Sequence, residues 1–267
     1  MLLKNKVVMI SGIGPGLGIK LATIAAQEGA RGLVLAARTA AKLDEARIEI
    51  EARVPDCRIL CVPTDICDSA QCQRLVQSAL ETFGRVDALI NSAYYHGNFE
   101  PIEKADLDVW RKTVETNLIG TMQLTQAVIP AMKEQGGGAM VMINTQATRK
   151  PVVLDIGGES GYAASKGALG TAVKYLAKEL GGYGIRVNSA HMGWMWGAPV
   201  QGYVRHTAAE KGIPEEQIIG GIARSIALGK IPTDDDCARA ALFLISDYAA
   251  AVTGATLDVN GGDYIPA

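Results

Sequence analysis

Seven short runs of aliphatic and β-branched residues alternate along the chain with longer stretches of helical spacing, and that alternation leaves few architectures open. The runs lie at 6–11, 32–37, 58–63, 86–91, 138–144, 185–190 and 255–260. Most are continuously apolar, as strands are when helices cover both faces of a parallel sheet. Helical periodicity fills the gaps, most clearly over 16–29, 40–54, 68–84, 105–135 and 161–184. Thr233, followed by Asp234, Asp235 and Asp236, reads as the N-cap of one further helix with acid in its first turn. No linker, repeat or low-complexity tract interrupts the series, so the pattern predicts one doubly wound α/β domain over residues 1–267. Residues 192–225 are the long irregular stretch and are expected to form a lid.

Composition excludes several classes. With 26 Lys and Arg against 28 Asp and Glu, the chain lacks the basic field that gathers nucleic acid. No run reaches the roughly 18 apolar residues that a membrane span needs. The opening residues carry no signal-peptide cleavage region, so a cytoplasmic protein is expected. Four of the five cysteines, Cys57, Cys61, Cys67 and Cys72, lie close together. On a strand, Cys57 and Cys61 stand about 13 Å apart, too far to share a zinc or a disulfide. Free thiols are expected there. His96, His191 and His206 have no metal-ligand spacing, and no metal is assigned.

The first strand runs straight into Ser11-Gly12-Ile13-Gly14-Pro15-Gly16-Leu17-Gly18, and a helix follows at once. Glycines in such a turn let backbone N–H groups approach a pyrophosphate, and the helix dipole favours the anion. Glycine clusters also serve tight turns for conformational reasons alone. Placement in the first βα unit favours the dinucleotide reading. At the end of the second strand, where a carboxylate would hold the ribose of NAD, the chain has Ala36-Ala37-Arg38-Thr39. The Arg38 fork suits a 2′-phosphate, so NADP(H) is favoured and NAD(H) is the alternative.

Tyr162 and Lys166 stand one helical turn apart on the same face. Moving a hydride between an alcohol and a carbonyl requires a proton donor or acceptor for the oxygen. A phenol near an ammonium can serve, because the cation favours the phenolate. Of the eight tyrosines, only Tyr162 has Lys four residues on.

The spacing Gly12-x-x-x-Gly16-x-Gly18, the Tyr162-x-x-x-Lys166 pair and the ending Thr253 to Gly262 together resemble the short-chain dehydrogenase/reductase family. The resemblance spans nearly the whole chain and implies a Rossmann-type fold and a homotetramer. It implies that Gly12, Gly16, Leu17, Gly18, Asp65, Asn91, Ala93 and Gly193 contact the cofactor, with Asp65 at the adenine. Lys166 would also hold the nicotinamide ribose. Asn117 would help hold a water linking Lys166 to solvent, and Thr145 would stand where the family has a Ser that bonds the substrate oxygen. Ser160 and Gln146 are the alternatives to Thr145.

Departures from the family pattern gather near the substrate. Asn91-Ser92-Ala93-Tyr94 replaces Asn-Asn-Ala-Gly, and Met192-Gly193-Trp194 lacks the usual Pro and Thr. Tyr94, Trp194 and Trp196 are expected to contact a bulky, largely apolar ketone or alcohol. The competing readings are an NAD-dependent alcohol dehydrogenase of the same family and an NADP(H)-binding sensor or scaffold without turnover.

Overall fold

The computed structural model describes residues 1–154 and 156–266. In chain order the elements are β1 (Val7–Ser11), α1 (Leu17–Gln27), β2 (Gly32–Ala37), α2 (Ala40–Arg53), β3 (Arg58–Pro63), α3 (Ser69–Phe83) and β4 (Ala88–Asn91). Then follow α4 (Leu107–Val114), a π-helical segment (Glu115–Gly120), α5 (Thr121–Glu134), β5 (Gly138–Thr145), β6 (Val153–Leu154) and β7 (Gly157–Gly158). The chain ends with α6 (Ser160–Leu180), β8 (Ile185–Met192), α7 (Ala198–Lys211), α8 (Glu215–Ala223), α9 (Asp234–Ile245) and β9 (Thr256–Val259).

Seven strands pair in the order β3-β2-β1-β4-β5-β8-β9, every pair parallel. Strand order reverses beside β1, which pairs with both β2 and β4, and a ligand crevice opens at such a point outside the carboxyl ends. Alternation along the strands splits the core into two layers. Val8, Ile10, Leu33, Leu35 and Val141 pack beneath α1, α2 and α9, while Val7, Met9, Val34, Met140 and Val187 pack against α3, α5 and α6. Truncating a fully buried leucine such as Leu75 would cost ~2 to 5 kcal/mol.

Two features differ from the reading of the sequence. The stretch 192–225 is not irregular: it contains α7 and α8. Its helical spacing is weak because α8 buries no residue and α7 buries only Val204, Thr207 and Ala208. The single helix expected over 105–135 is interrupted by the π segment around Asn117, a distortion frequent at functional sites. Thr233 does cap α9, accepting from the Asp236 N–H at 3.1 Å.

Candidate active site

Two adjoining cavities follow the carboxyl ends of the strands, one of about 190 Å³ and one of about 740 Å³. Gly12, Lys42, Ser92 and Tyr94 line both. The glycine turn between β1 and α1 forms part of their floor. Gly12 sits at φ +84°, and a Cβ there would lie 2.4 Å from the Ala93 nitrogen. On Gly18 a Cβ would meet the Gly12 carbonyl oxygen at 2.2 Å. These two glycines are required by close backbone packing. Gly14 and Gly16 are different: nothing lies within 4 Å of a Cβ on either, and both face the larger cavity. The space they leave is the cradle that a pyrophosphate would fill, at a helix N-terminus with no side-chain cap.

Arg38, Thr39 and Lys42 line the smaller cavity together with Asp65 and Ala93. Lys42, in the first turn of α2, was not picked out from the sequence because a lysine on a helix surface carries no signal there. Asp65 Oδ1 accepts from the Cys67 N–H at 3.0 Å. A cradle, an anion-favouring helix end and two cations fit a nicotinamide dinucleotide. Such a group, when bound, supplies or accepts the hydride. Asn91, at the end of β4, donates from Nδ2 to Thr125 Oγ1 at 3.2 Å, so its side chain turns toward α5.

The larger cavity brings together Thr145 at the end of β5, Tyr162 and Lys166 on α6, and Gly193 after β8. Lys166 is 2% exposed, and its Nζ donates to the Ile143 carbonyl at 2.8 Å. Asn144 Nδ2 donates to the Lys166 carbonyl at 3.0 Å, tying α6 to the strand end. Burial pushes the Lys166 ammonium down to about 7. Burial, and then Tyr94 and Glu159, push the Tyr162 phenol up. Lys166 Nζ lies 6.0 Å from the Tyr162 ring centroid. Burial and the neighbouring Tyr94 and Glu159 thus favour the neutral phenol at Tyr162, the form that can donate a proton.

Asn117 is fully buried. Its Oδ1 accepts from the Tyr95 N–H at 2.7 Å, and its Nδ2 donates to the Tyr95 carbonyl and to Ser165 Oγ, both at 2.9 Å. Both amide hydrogens are thus used to tie the Tyr95 backbone to α6. Thr145 Oγ1 accepts from the Ala147 N–H at 3.1 Å, leaving its own hydrogen to donate. Ser160, one of the alternatives to Thr145, does not line the cavity. Gln146 does, but its Nε2 donates to Asp263 Oδ2 at 2.6 Å. Lys150 Nζ binds Asp263 Oδ1 at 2.6 Å and Arg149 binds Asp258 at 2.8 Å, so the loop after β5 is pinned to the C-terminal segment. At Gly193 a Cβ would lie 2.6 Å from the Asn260 Cβ, which leaves room only for glycine.

Tyr94 and Trp194 line the larger cavity as expected, with Phe99, Met195, Pro199 and Tyr203. Trp196 does not; its backbone pairs with the segment at Thr233, its N–H donating to the Pro232 carbonyl at 2.8 Å. A second group was missed. His96 stacks on Tyr162 with ring centroids 4.6 Å apart, and its Nε2 lies 2.7 Å from Glu159 Oε2. These two residues are far apart in sequence and match no motif. The cysteines are free thiols, with Cys57, Cys72 and Cys237 buried.

A doubly wound sheet with a glycine cradle at its switch point and a Tyr and Lys pair in the adjoining cavity has the architecture of a nicotinamide-dependent oxidoreductase. Comparison with known proteins gives the family. A family model described as enoyl-(acyl carrier protein) reductase matches residues 12–263. Levodione reductase of Leifsonia aquatica is 31% identical over 97% of this chain and 94% of its own length. The 3alpha-hydroxysteroid dehydrogenase of Mediterraneibacter gnavus is 32% identical over 98% of both chains. The crystal structure of L-sorbose reductase from Gluconobacter frateurii, complexed with NADPH and L-sorbose, superposes with a TM-score of 0.92 at 26% identity, covering 100% of this chain and 99% of that one. The chain belongs to the short-chain dehydrogenase/reductase family, whose members here are oxidoreductases of CH–OH and C=O groups.

Proposed function

We propose that the protein is an NADP(H)-dependent oxidoreductase that interconverts a ketone and a secondary alcohol on a molecule with a largely apolar body. The observation that carries this reading is the convergence of Tyr162, Thr145 and the open Gly14 and Gly16 cradle on one cavity. In the reducing direction the carbonyl oxygen would accept a hydrogen bond from the Thr145 hydroxyl and the proton from the Tyr162 phenol; a nicotinamide held at the Gly14 and Gly16 cradle would supply the hydride to the carbonyl carbon. Lys166 Nζ stands 6.0 Å from the Tyr162 ring centroid, where its charge would stabilise the phenolate left by the transfer.

Support for NADP(H) comes from Arg38, Thr39 and Lys42 around the smaller cavity, with no carboxylate at the end of β2. The L-sorbose reductase structure holds NADPH, which agrees with this preference. Support for an apolar body comes from Phe99, Val152, Leu154, Trp194, Met195 and Val200 on the cavity wall. Relatives named for levodione and for 3α-hydroxysteroids are consistent with such a wall. Support for a lid within 192–225 comes from α7, whose Ala198, Pro199, Val200 and Tyr203 line the cavity.

Leu107, Val114, Ile119 and Tyr175 are exposed on α4, the π segment and α6, the helices through which a homotetramer would assemble in this reading. No described helix is long and apolar enough to cross a membrane. Following NADPH and NADH oxidation across a panel of cyclic ketones tests the reading: preferential use of NADPH with turnover supports it, and cofactor binding with no turnover on any ketone or alcohol points to a sensor or scaffold.

A further inference from the structure

The substrate cavity has a polar pole that the proton-transfer chemistry does not use. Glu159 precedes the first turn of α6, its side chain is 12% exposed, and Oε2 takes the 2.7 Å contact from His96 Nε2. Oε1 has no hydrogen-bond partner among the described residues, and Glu159 lines the larger cavity. It is the one carboxylate among the described residues that line that cavity. The wall nearest in composition is apolar, with Phe99, Val152 and Leu154.

A carboxylate placed there has a cost. Its field opposes ionisation of Tyr162. If the only task of this pair were to hold the Tyr162 ring, an aromatic stack alone would do it, and Phe99 already packs on His96 with centroids 4.8 Å apart. A cavity-lining carboxylate with an acceptor oxygen to spare makes sense when the occupant brings a donor to it. His96 fixes the carboxylate through Oε2, so Oε1 is held in one place, one ring stack and one hydrogen bond away from the reacting phenol.

Resting on the oxidoreductase reading, we infer that Glu159, held by His96, binds a second hydroxyl of the substrate, so that the physiological substrate is a hydroxylated ketone or the corresponding diol. A neutral hydroxyl donating to a carboxylate is a charge-assisted bond, and a site built for it discriminates against the analogue that lacks the group.

The test compares cyclohexanone with its hydroxylated isomers, one for each ring position, using NADPH and reading kcat/KM. At least one isomer is expected to exceed cyclohexanone by about 10- to 100-fold. In Glu159→Leu that ratio should collapse to near one, in Glu159→Gln it should fall to an intermediate value, and His96→Phe should lower it by raising KM for the hydroxylated compound. NADPH binding by fluorescence checks that each variant is folded. Turnover of all the ketones with a wild-type ratio near one overturns this inference and leaves the oxidoreductase reading standing. A high ratio that survives in both Glu159 variants also overturns it. Turnover of none overturns both. An amino ketone preferred over every hydroxy ketone would show that Glu159 binds a cation and would overturn the hydroxyl assignment.

Discussion

Lys166 Nζ donates to the Ile143 carbonyl at 2.8 Å, so the cation behind Tyr162 is anchored to the end of β5 by a backbone group that cannot neutralise it. Burial then drives the ammonium from 10.5 down to about 7. A lysine whose folded pKa is depressed is penalised where the folded state must hold the proton, below about pH 7, and the penalty is relieved as pH rises toward 10.5. The stability of the cofactor-free wild type should therefore rise with pH across that window relative to Lys166→Met, by up to ~1.4 kcal/mol per pH unit. Urea unfolding of both proteins at several pH values checks this. A difference that stays flat across the window would show that Lys166 remains charged.

Arg38, just after β2, and Lys42, on α2, line the same small cavity. Each should contribute to a 2′-phosphate and little to NADH. Arg38→Ala is expected to weaken NADPH by about 10-fold or more and Lys42→Ala by less, since the planar fork binds phosphate with two bonds. Fluorescence titration with both cofactors measures it. Equal losses for NADH and NADPH would contradict the assignment.

Thr145 stands on the cavity with its oxygen already accepting from Ala147, which orients the hydroxyl. Thr145→Val keeps the shape and deletes the donor, and should slow hydride transfer by ~10² to 10³. Thr145→Ser should retain substantial activity. Single-turnover kinetics with NADPH separates this step from binding. Normal turnover in Thr145→Val combined with collapse in Gln146→Ala would move the oxygen contact to Gln146.

Legibility in the sequence followed the range of each interaction. The strands were readable because a parallel sheet buried on both faces demands continuous apolar runs, and the glycine turn and the Tyr162 and Lys166 pair were readable because their spacing is local. The His96 and Glu159 contact joins residues from two loops and has no local pattern. Trp196 was misplaced because a cluster of large side chains does not show which one the strand end turns inward. The Asn91 side chain's bond to Thr125, on α5, is likewise a long-range contact with no local pattern. Helices α7 and α8 escaped notice because their exposed faces carry little periodic burial. The π segment escaped because it differs from α-helix only in hydrogen-bond register.

In the proposed reaction the Tyr162 phenol transfers the proton. Tyr162→Phe keeps the ring that stacks on His96 and removes only the hydroxyl. With NADPH and a ketone that the wild type reduces, kcat should fall by ~10² to 10⁴ while NADPH affinity changes little. Wild-type turnover in Tyr162→Phe would contradict the account.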